Sequence, residues 1–219
     1  MHRIRVVTIS LLIVVVATIV GCTSHDSAQS AEDAAPRVPA KLLIQPYEGV
    51  AVADVEVVTR GIEQLYKFEI EVMPERDLPA SAYYAPRNRY RAAMLLEKLN
   101  ELGSSNNKVL GLTSVDISVL RGETEDWGIF GFGAVGGKPS VVSGYRLRSG
   151  GVDRASYEAR LQKVANHEVG HTLGLEHCDQ ESCLMSDAEG KISTIDNVSG
   201  RLCPRCEAAL APLSVLRKE

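Results

Sequence analysis

Eleven consecutive residues constrain this chain more than anything else in it: His167-Glu168-Val169-Gly170-His171-Thr172-Leu173-Gly174-Leu175-Glu176-His177. On a helix, residues four apart lie one turn above each other, so His167 and His171 can present their imidazoles to one metal ion, with Glu168 one position round. A third ligand cannot follow from the next turn with the right geometry, so the chain must bend. Gly174 can take a positive φ at that bend, and His177 arrives from beyond it. Three neutral imidazoles leave the fourth tetrahedral position of a zinc ion open, which is the layout of a catalytic site rather than a structural one. Glu168 then sits where it can reach a zinc-activated water and act as general base. The other histidines, His2 and His25, lie near the start of the chain, so every histidine of the folded body belongs to this motif.

Hydrophobic periodicity around the motif alternates between strand and helix. Leu42 to Gln45 suits a strand, Val52 to Leu65 repeats apolar residues at helical spacing, and Lys67 to Met73 alternates as a half-buried strand does. Pro79 to Pro86 reads as loop, Arg89 to Leu102 as a helix capped by Gly103, and Lys108 to Leu120 as one long or bent strand. Trp127 to Ala134 and Pro139 to Leu147 read as strands around the turn at Gly136-Gly137, and Arg154 to Leu173 is the longest helical pattern. The pattern predicts an α/β (α+β) fold, a mixed sheet with helices packed on it.

The chain has 219 residues, 45% of them hydrophobic, which fits one ordinary globular domain. Its net charge of −4, from 24 basic and 28 acidic residues, offers no basic surface for a phosphate backbone, so nucleic acid is not an expected partner and a monomer is expected. Residues 1–21 have the layout of a secretory signal: two arginines in Met1 to Arg5, then an apolar run to Val20. Ile19-Val20-Gly21-Cys22 resembles a bacterial lipobox, which makes Cys22 the lipid attachment point; the alternatives are a plain signal peptide or an uncleaved anchor. The body is exported in each case, and with Cys22 lipidated it hangs from the cell envelope, on the periplasmic side of the outer membrane where there are two membranes. Residues 22–40 are rich in Ser, Ala, Asp and Pro and read as a flexible tether, leaving a catalytic domain over residues 41–219.

Cys178, Cys183, Cys203 and Cys206 remain. Their spacing fits a closed tetrahedral zinc site that would staple a small C-terminal part with little core of its own. In an oxidising compartment they could instead form two disulfides. Two zinc ions per chain are expected on the first reading, one catalytic and one structural.

The string H-E-x-x-H-x-x-G-x-x-H-C-x4-C-x-M-x17-C-x-x-C, from His167 to Cys206, resembles the signature of the archaemetzincins, zinc metallopeptidases of the metzincin clan. Residues 108–116 and 141–148 also look like strands of that family. The resemblance implies a metzincin-type fold with a twisted mixed five-stranded sheet, an upper part over residues 41–174 and a lower part over residues 175–219. It also implies that Met185 lies under the histidines in a methionine-containing turn, and that Gly128 to Gly133 forms an edge strand over the cleft; a tight bend is the alternative for that stretch. The expected function is hydrolysis of peptide bonds in peptides or proteins. The alternative is a catalytically silent, zinc-stabilised binding lipoprotein. Some metzincins carry a tyrosine ligand two residues after this methionine, where Asp187 stands here.

Overall fold

The computed structural model describes residues 41–217, so the signal, Cys22 and the tether lie outside the described residues. A five-stranded sheet forms the frame, in the order β2 (Ile70–Val72), β1 (Leu42–Pro46), β5 (Lys108–Thr113), β9 (Pro139–Ser143) and β8 (Gly131–Gly133). The first four run parallel, and β8 closes one edge antiparallel to β9. Strands covered on both faces are rich in apolar residues, and β1, β5 and β9 are buried along their length apart from Lys108, with Gln45, Thr113, Ser140 and Ser143 as their buried polar members. Leu42, Ile44, Leu110 and Val142 point into the larger core with α1 (Val52–Leu65) and α3 (Arg154–Thr172). Leu43, Val109 and Val141 point into a second cluster under α2 (Ala92–Asn100).

A second, four-stranded sheet was not foreseen from the sequence. It runs β3 (Tyr83–Tyr84), β4 (Arg89–Arg91), β6 (Ile117–Arg121) and β7 (Thr124–Ile129). The expected strand from Lys108 to Leu120 is therefore two strands in different sheets. The break centres on Asp116, whose carboxylate takes hydrogen bonds from Arg89 (2.7 Å) and Arg146 (2.6 and 3.0 Å). The same pull removes Arg89–Arg91 from the expected helix: Tyr90 N–H donates to the Asp116 carbonyl at 2.9 Å, and α2 begins only at Ala92. Trp127 to Ala134 likewise divides, its first part ending β7 and its second forming β8, with Phe130 between the sheets. The strand from Pro139 stops at Ser143 and gives way to a 3-10 turn at Arg146–Arg148.

The strand expected over Lys67 to Met73 shortens to Ile70–Val72 because the chain before it is taken up elsewhere. Lys67 N–H donates to the Val215 carbonyl at 2.7 Å, Arg217 N–H donates to Leu65 at 3.0 Å, and Tyr66 bridges to Leu216. Two short helices, α4 (Ile192–Asn197) and α5 (Pro204–Leu210), complete the C-terminal part. Buried Asp54 on α1 accepts from Arg148 and Arg154, both at 2.8 Å, and from the Tyr157 hydroxyl at 2.7 Å, fixing α1 to the start of α3. Among the described residues, no helix is long and apolar enough to cross a membrane.

Candidate metal centre

Helix α3 begins at an Asp153 cap that accepts from Ser156 N–H at 2.7 Å, and ends in a turn that fixes where His177 can go. Gly174 adopts φ +98°, its N–H donates to the His171 carbonyl at 2.9 Å, and Leu175 N–H donates to the Gly170 carbonyl at 3.1 Å. This pair of bonds is a Schellman cap, which satisfies the last carbonyls and reverses the chain. The reversal brings His177 back beside the helix, with ring centroids 4.6 Å apart for His167–His171, 4.9 Å for His171–His177 and 5.4 Å for His167–His177. One ligand atom from each lies within 4.8 Å of the others.

The rings are held through their other nitrogens. His167 Nδ1 meets the Leu184 carbonyl at 2.7 Å, and His171 Nδ1 meets the Leu175 carbonyl at 2.8 Å. A carbonyl can only accept, so each Nδ1 carries the proton and each Nε2 keeps a lone pair for a metal. His177 Nδ1 lies 3.6 Å from the Asp187 carboxylate. Burial holds both helix imidazoles neutral, pushing His167 down to about 3 with help from the charge of His171, and lowering His171 as well. Neutral imidazole is the form that binds a metal.

Glu168 is buried at the inner side of β8, where burial, with a smaller contribution from the Asp187 charge, pushes its carboxyl up to about 8. The glycines of β8 make this approach possible. A Cβ on Gly131 would lie 2.5 Å from Glu168 Oε1, and one on Gly133 would lie 2.7 Å from the Glu168 carbonyl and 2.9 Å from His171 Cβ. Glycine is required at both positions, and of the Gly128 to Gly133 stretch only Gly131–Gly133 forms the edge strand, after a bend at Phe130 that leaves Gly128 and Ile129 in β7. Gly170 plays the same part on the opposite side of α3, where a Cβ would come 2.7 Å from the sulfur of fully buried Met185.

A clamp that sequence reasoning missed joins the β8–β9 turn to the end of this helix. Gly136 N–H donates to the His171 carbonyl at 2.9 Å, while Lys108 Nζ donates to Thr172 at 2.6 Å and to Gly137 at 2.7 Å. A lysine at a helix C-terminus also complements the dipole there. No local sequence signal marks Lys108, because its partners lie 29 and 64 residues away.

The four cysteines converge in a second cluster, all buried, with their sulfurs within 4.8 Å of one another. Cys178 and Cys203 sulfurs are 3.8 Å apart, as are those of Cys183 and Cys206. Four sulfurs at about 2.3 Å from a central zinc are about 3.8 Å from each other, so the spacing fits a tetrahedral ion, and it is far beyond the roughly 2 Å of a disulfide. Arg205 donates to Cys178 Sγ at 3.2 Å and to Asp179 at 2.6 Å, placing positive charge beside the thiols.

Between the sheet and the C-terminal segment runs a cleft of about 650 Å³ that contains the histidine triad and Glu168. Trp127 of β7 reaches across it, its ring 3.4 Å from where a Cβ on Gly190 would sit, and Arg121 stacks on the same indole at 5.0 Å.

The sequence profile of peptidase family M54 matches residues 50–211. The chain is an archaemetzincin of that family. An archaemetzincin from Haloarcula marismortui is 33% identical over 67% of this chain and 86% of its own length. One from Methanopyrus kandleri is 32% identical over 78% of this chain and 95% of its own. The crystal structure of the Methanopyrus kandleri archaemetzincin superposes with a TM-score of 0.68 at 31% identity, covering 82% of this chain and 98% of that one. That of the Archaeoglobus fulgidus archaemetzincin, complexed with malonate, gives 0.66 at 29% identity, covering 77% and 99%. The archaemetzincin resemblance read from residues 167–206 is thus borne out over most of the domain, and the mixed five-stranded sheet is the one expected for it.

Proposed function

We propose that this archaemetzincin is a zinc-dependent metallopeptidase in which His167, His171 and His177 hold the catalytic ion and Glu168 is the general base. Membership of peptidase family M54 supports zinc-dependent hydrolysis of peptides or proteins. The observation that carries the residue assignment is the tautomeric arrangement: two Nδ1–H groups tied to backbone carbonyls, with their Nε2 lone pairs and a third imidazole converging beside a buried carboxylate. When bound, zinc supplies Lewis acidity at the open position, activating water and polarising the scissile carbonyl.

The chain's own groups do the rest. Beside a dication the Glu168 carboxylate is ionised at neutral pH, takes the proton from the attacking water and passes it to the leaving amine. Phe130 O accepts from Ser143 and Ala134 N–H donates to Pro139, so their backbone groups face β9. By alternation, Gly131 and Gly133 turn their N–H and C=O groups to the free edge, where an extended peptide can add as a strand. Cys178, Cys183, Cys203 and Cys206 hold a second, structural zinc, and Met185 floors the histidines. Cys22 carries a lipid that anchors the exported body to the envelope.

The test is a peptide-library digest read by mass spectrometry with and without chelator, on wild type and Glu168→Gln. The variant keeps its zinc and loses turnover by a factor on the order of 10² or more. Equal hydrolysis by the variant would refute the base assignment, and no cleavage by the metal-loaded wild type would favour the silent binding lipoprotein. Labelled palmitate enters the wild type and not Cys22→Ser; label retained by the variant removes the anchor.

A further inference from the structure

The segment from Leu175 to Ser186 supplies the third histidine and the backbone partner of the first, yet it contains no helix or strand of its own. Backbone bonds to the next segment hold part of it, Leu184 N–H donating to Arg201 at 2.8 Å and Ser199 N–H to Ser182 at 3.0 Å, and the cysteine cluster ties down both of its ends. Cys178 directly follows His177, and its N–H donates to the Met185 carbonyl at 2.8 Å. Cys183 directly precedes Leu184, whose carbonyl fixes the His167 ring. The Cys183 sulfur accepts from Met185 N–H at 3.5 Å and from Cys203 N–H at 3.4 Å. The position of His177 and the ring orientation of His167 therefore depend on residues adjacent to cluster cysteines. His171 does not, because its partner Leu175 is set by the helix cap.

We propose that the cysteine cluster controls the metal affinity of the histidine centre: an ion bound by Cys178, Cys183, Cys203 and Cys206 fixes His177 and the Leu184 carbonyl, and its loss loosens zinc at His167, His171 and His177. The inference rests on both clusters being zinc sites, and makes Cys178 and Cys183 positioning residues for the other centre. Linkage requires reciprocity, so filling the histidine centre tightens the cysteine ion by the same factor. Groups that orient metal-binding histidines typically change affinity by 10-fold to 100-fold, which sets the scale.

The measurement is cobalt affinity at the histidine centre. In the full chain, that centre is emptied by mild chelation and then titrated with Co²⁺ against a competing chelator. Visible absorption reports the histidine site, and thiolate charge-transfer bands report any ion at the cysteines. Cys206→Ser removes a cluster ligand that touches neither His177 nor Leu184, and it weakens Co²⁺ at the histidines about tenfold or more. Asp54→Asn, which weakens the tie between α1 and the first turn of α3 and removes no group bonded to either cluster, leaves that affinity unchanged. Should Cys206→Ser fail to fold, ejecting the cysteine ion from wild type with a mercurial, while circular dichroism shows the helices intact, produces the same weakening. Unchanged Co²⁺ affinity after loss of the cysteine ion overturns the proposal, as does metal-replete, reduced wild type with no ion at its cysteines. Peptide hydrolysis by wild type is scored separately, so a failure of the peptidase reading is distinct from a failure of coupling.

Discussion

Gly131 carries as much of the candidate site as the residues that do chemistry. With a Cβ there, Glu168 Oε1 would be 2.5 Å away, so either the carboxylate moves or β8 retreats from α3. Gly131→Ala therefore retains the zinc, because no ligand is touched, and loses at least tenfold in kcat/KM, since displacement of a reacting group by about 1 Å costs up to 10². Metal analysis paired with steady-state kinetics checks this, and wild-type kcat/KM in the variant would show that the close approach is not needed. Gly131 and His167 also mark the limit of what one sequence discloses. His167, Glu168, His171 and Gly174 are readable because their relations are local, set by helical spacing and a cap. The need for glycine at position 131 comes from Glu168, 37 positions later in the chain, and nothing beside Gly131 announces it.

At the scale of elements, the β8–β9 turn and the end of α3 behave as one piece because Lys108 and Gly136 tie them together. Burial lowers the Lys108 ammonium, and two carbonyls are its acceptors. Lys108→Met frees the turn and lets the edge strand shift against the metal helix. If extended peptides add at that edge as proposed, they should show KM raised several-fold with kcat nearly unchanged, while a short reporter peptide should show neither change; Lys108→Arg restores part of the loss. An equal effect on long and short substrates would mean that the clamp only stabilises the fold. Some elements were legible from period alone: α1, α3 and β1 lie close to where the apolar spacing puts them, and β9 starts where expected. The second sheet was not, since a chain that alternates apolar and polar residues does not say which sheet it joins. Arg89, Asp116 and Arg146 decide that through contacts about 30 residues apart, cutting one strand pattern in two and converting the start of a helix into a strand.

For the whole molecule, the decisive quantity is metal stoichiometry. An open three-histidine site gives up zinc readily, whereas a closed four-thiolate site couples its ion to folding. Reduced, metal-replete protein is expected to hold two zinc ions. Mild chelation removes one with loss of activity and little loss of helix, and the second leaves only with unfolding of the C-terminal part. Elemental analysis along a chelator series, followed by circular dichroism, checks both. A single zinc together with thiols blocked against alkylation before reduction would establish disulfides in place of the structural ion.

The link between Tyr66 and residues 215–217 bears on timing. Tyr66 donates its hydroxyl to the Asn166 carbonyl at 3.0 Å, one residue before His167, and the chain around it is stitched to Val215, Leu216 and Arg217. The site is thus closed by the part of the described chain that a ribosome delivers last. Until residues 203–217 emerge there is neither a complete thiol cluster nor a brace behind the first histidine. Assembly of the candidate site therefore waits on the last described residues, and a fragment ending before Cys203 should lack both the four-thiol cluster and the stitched Tyr66 brace.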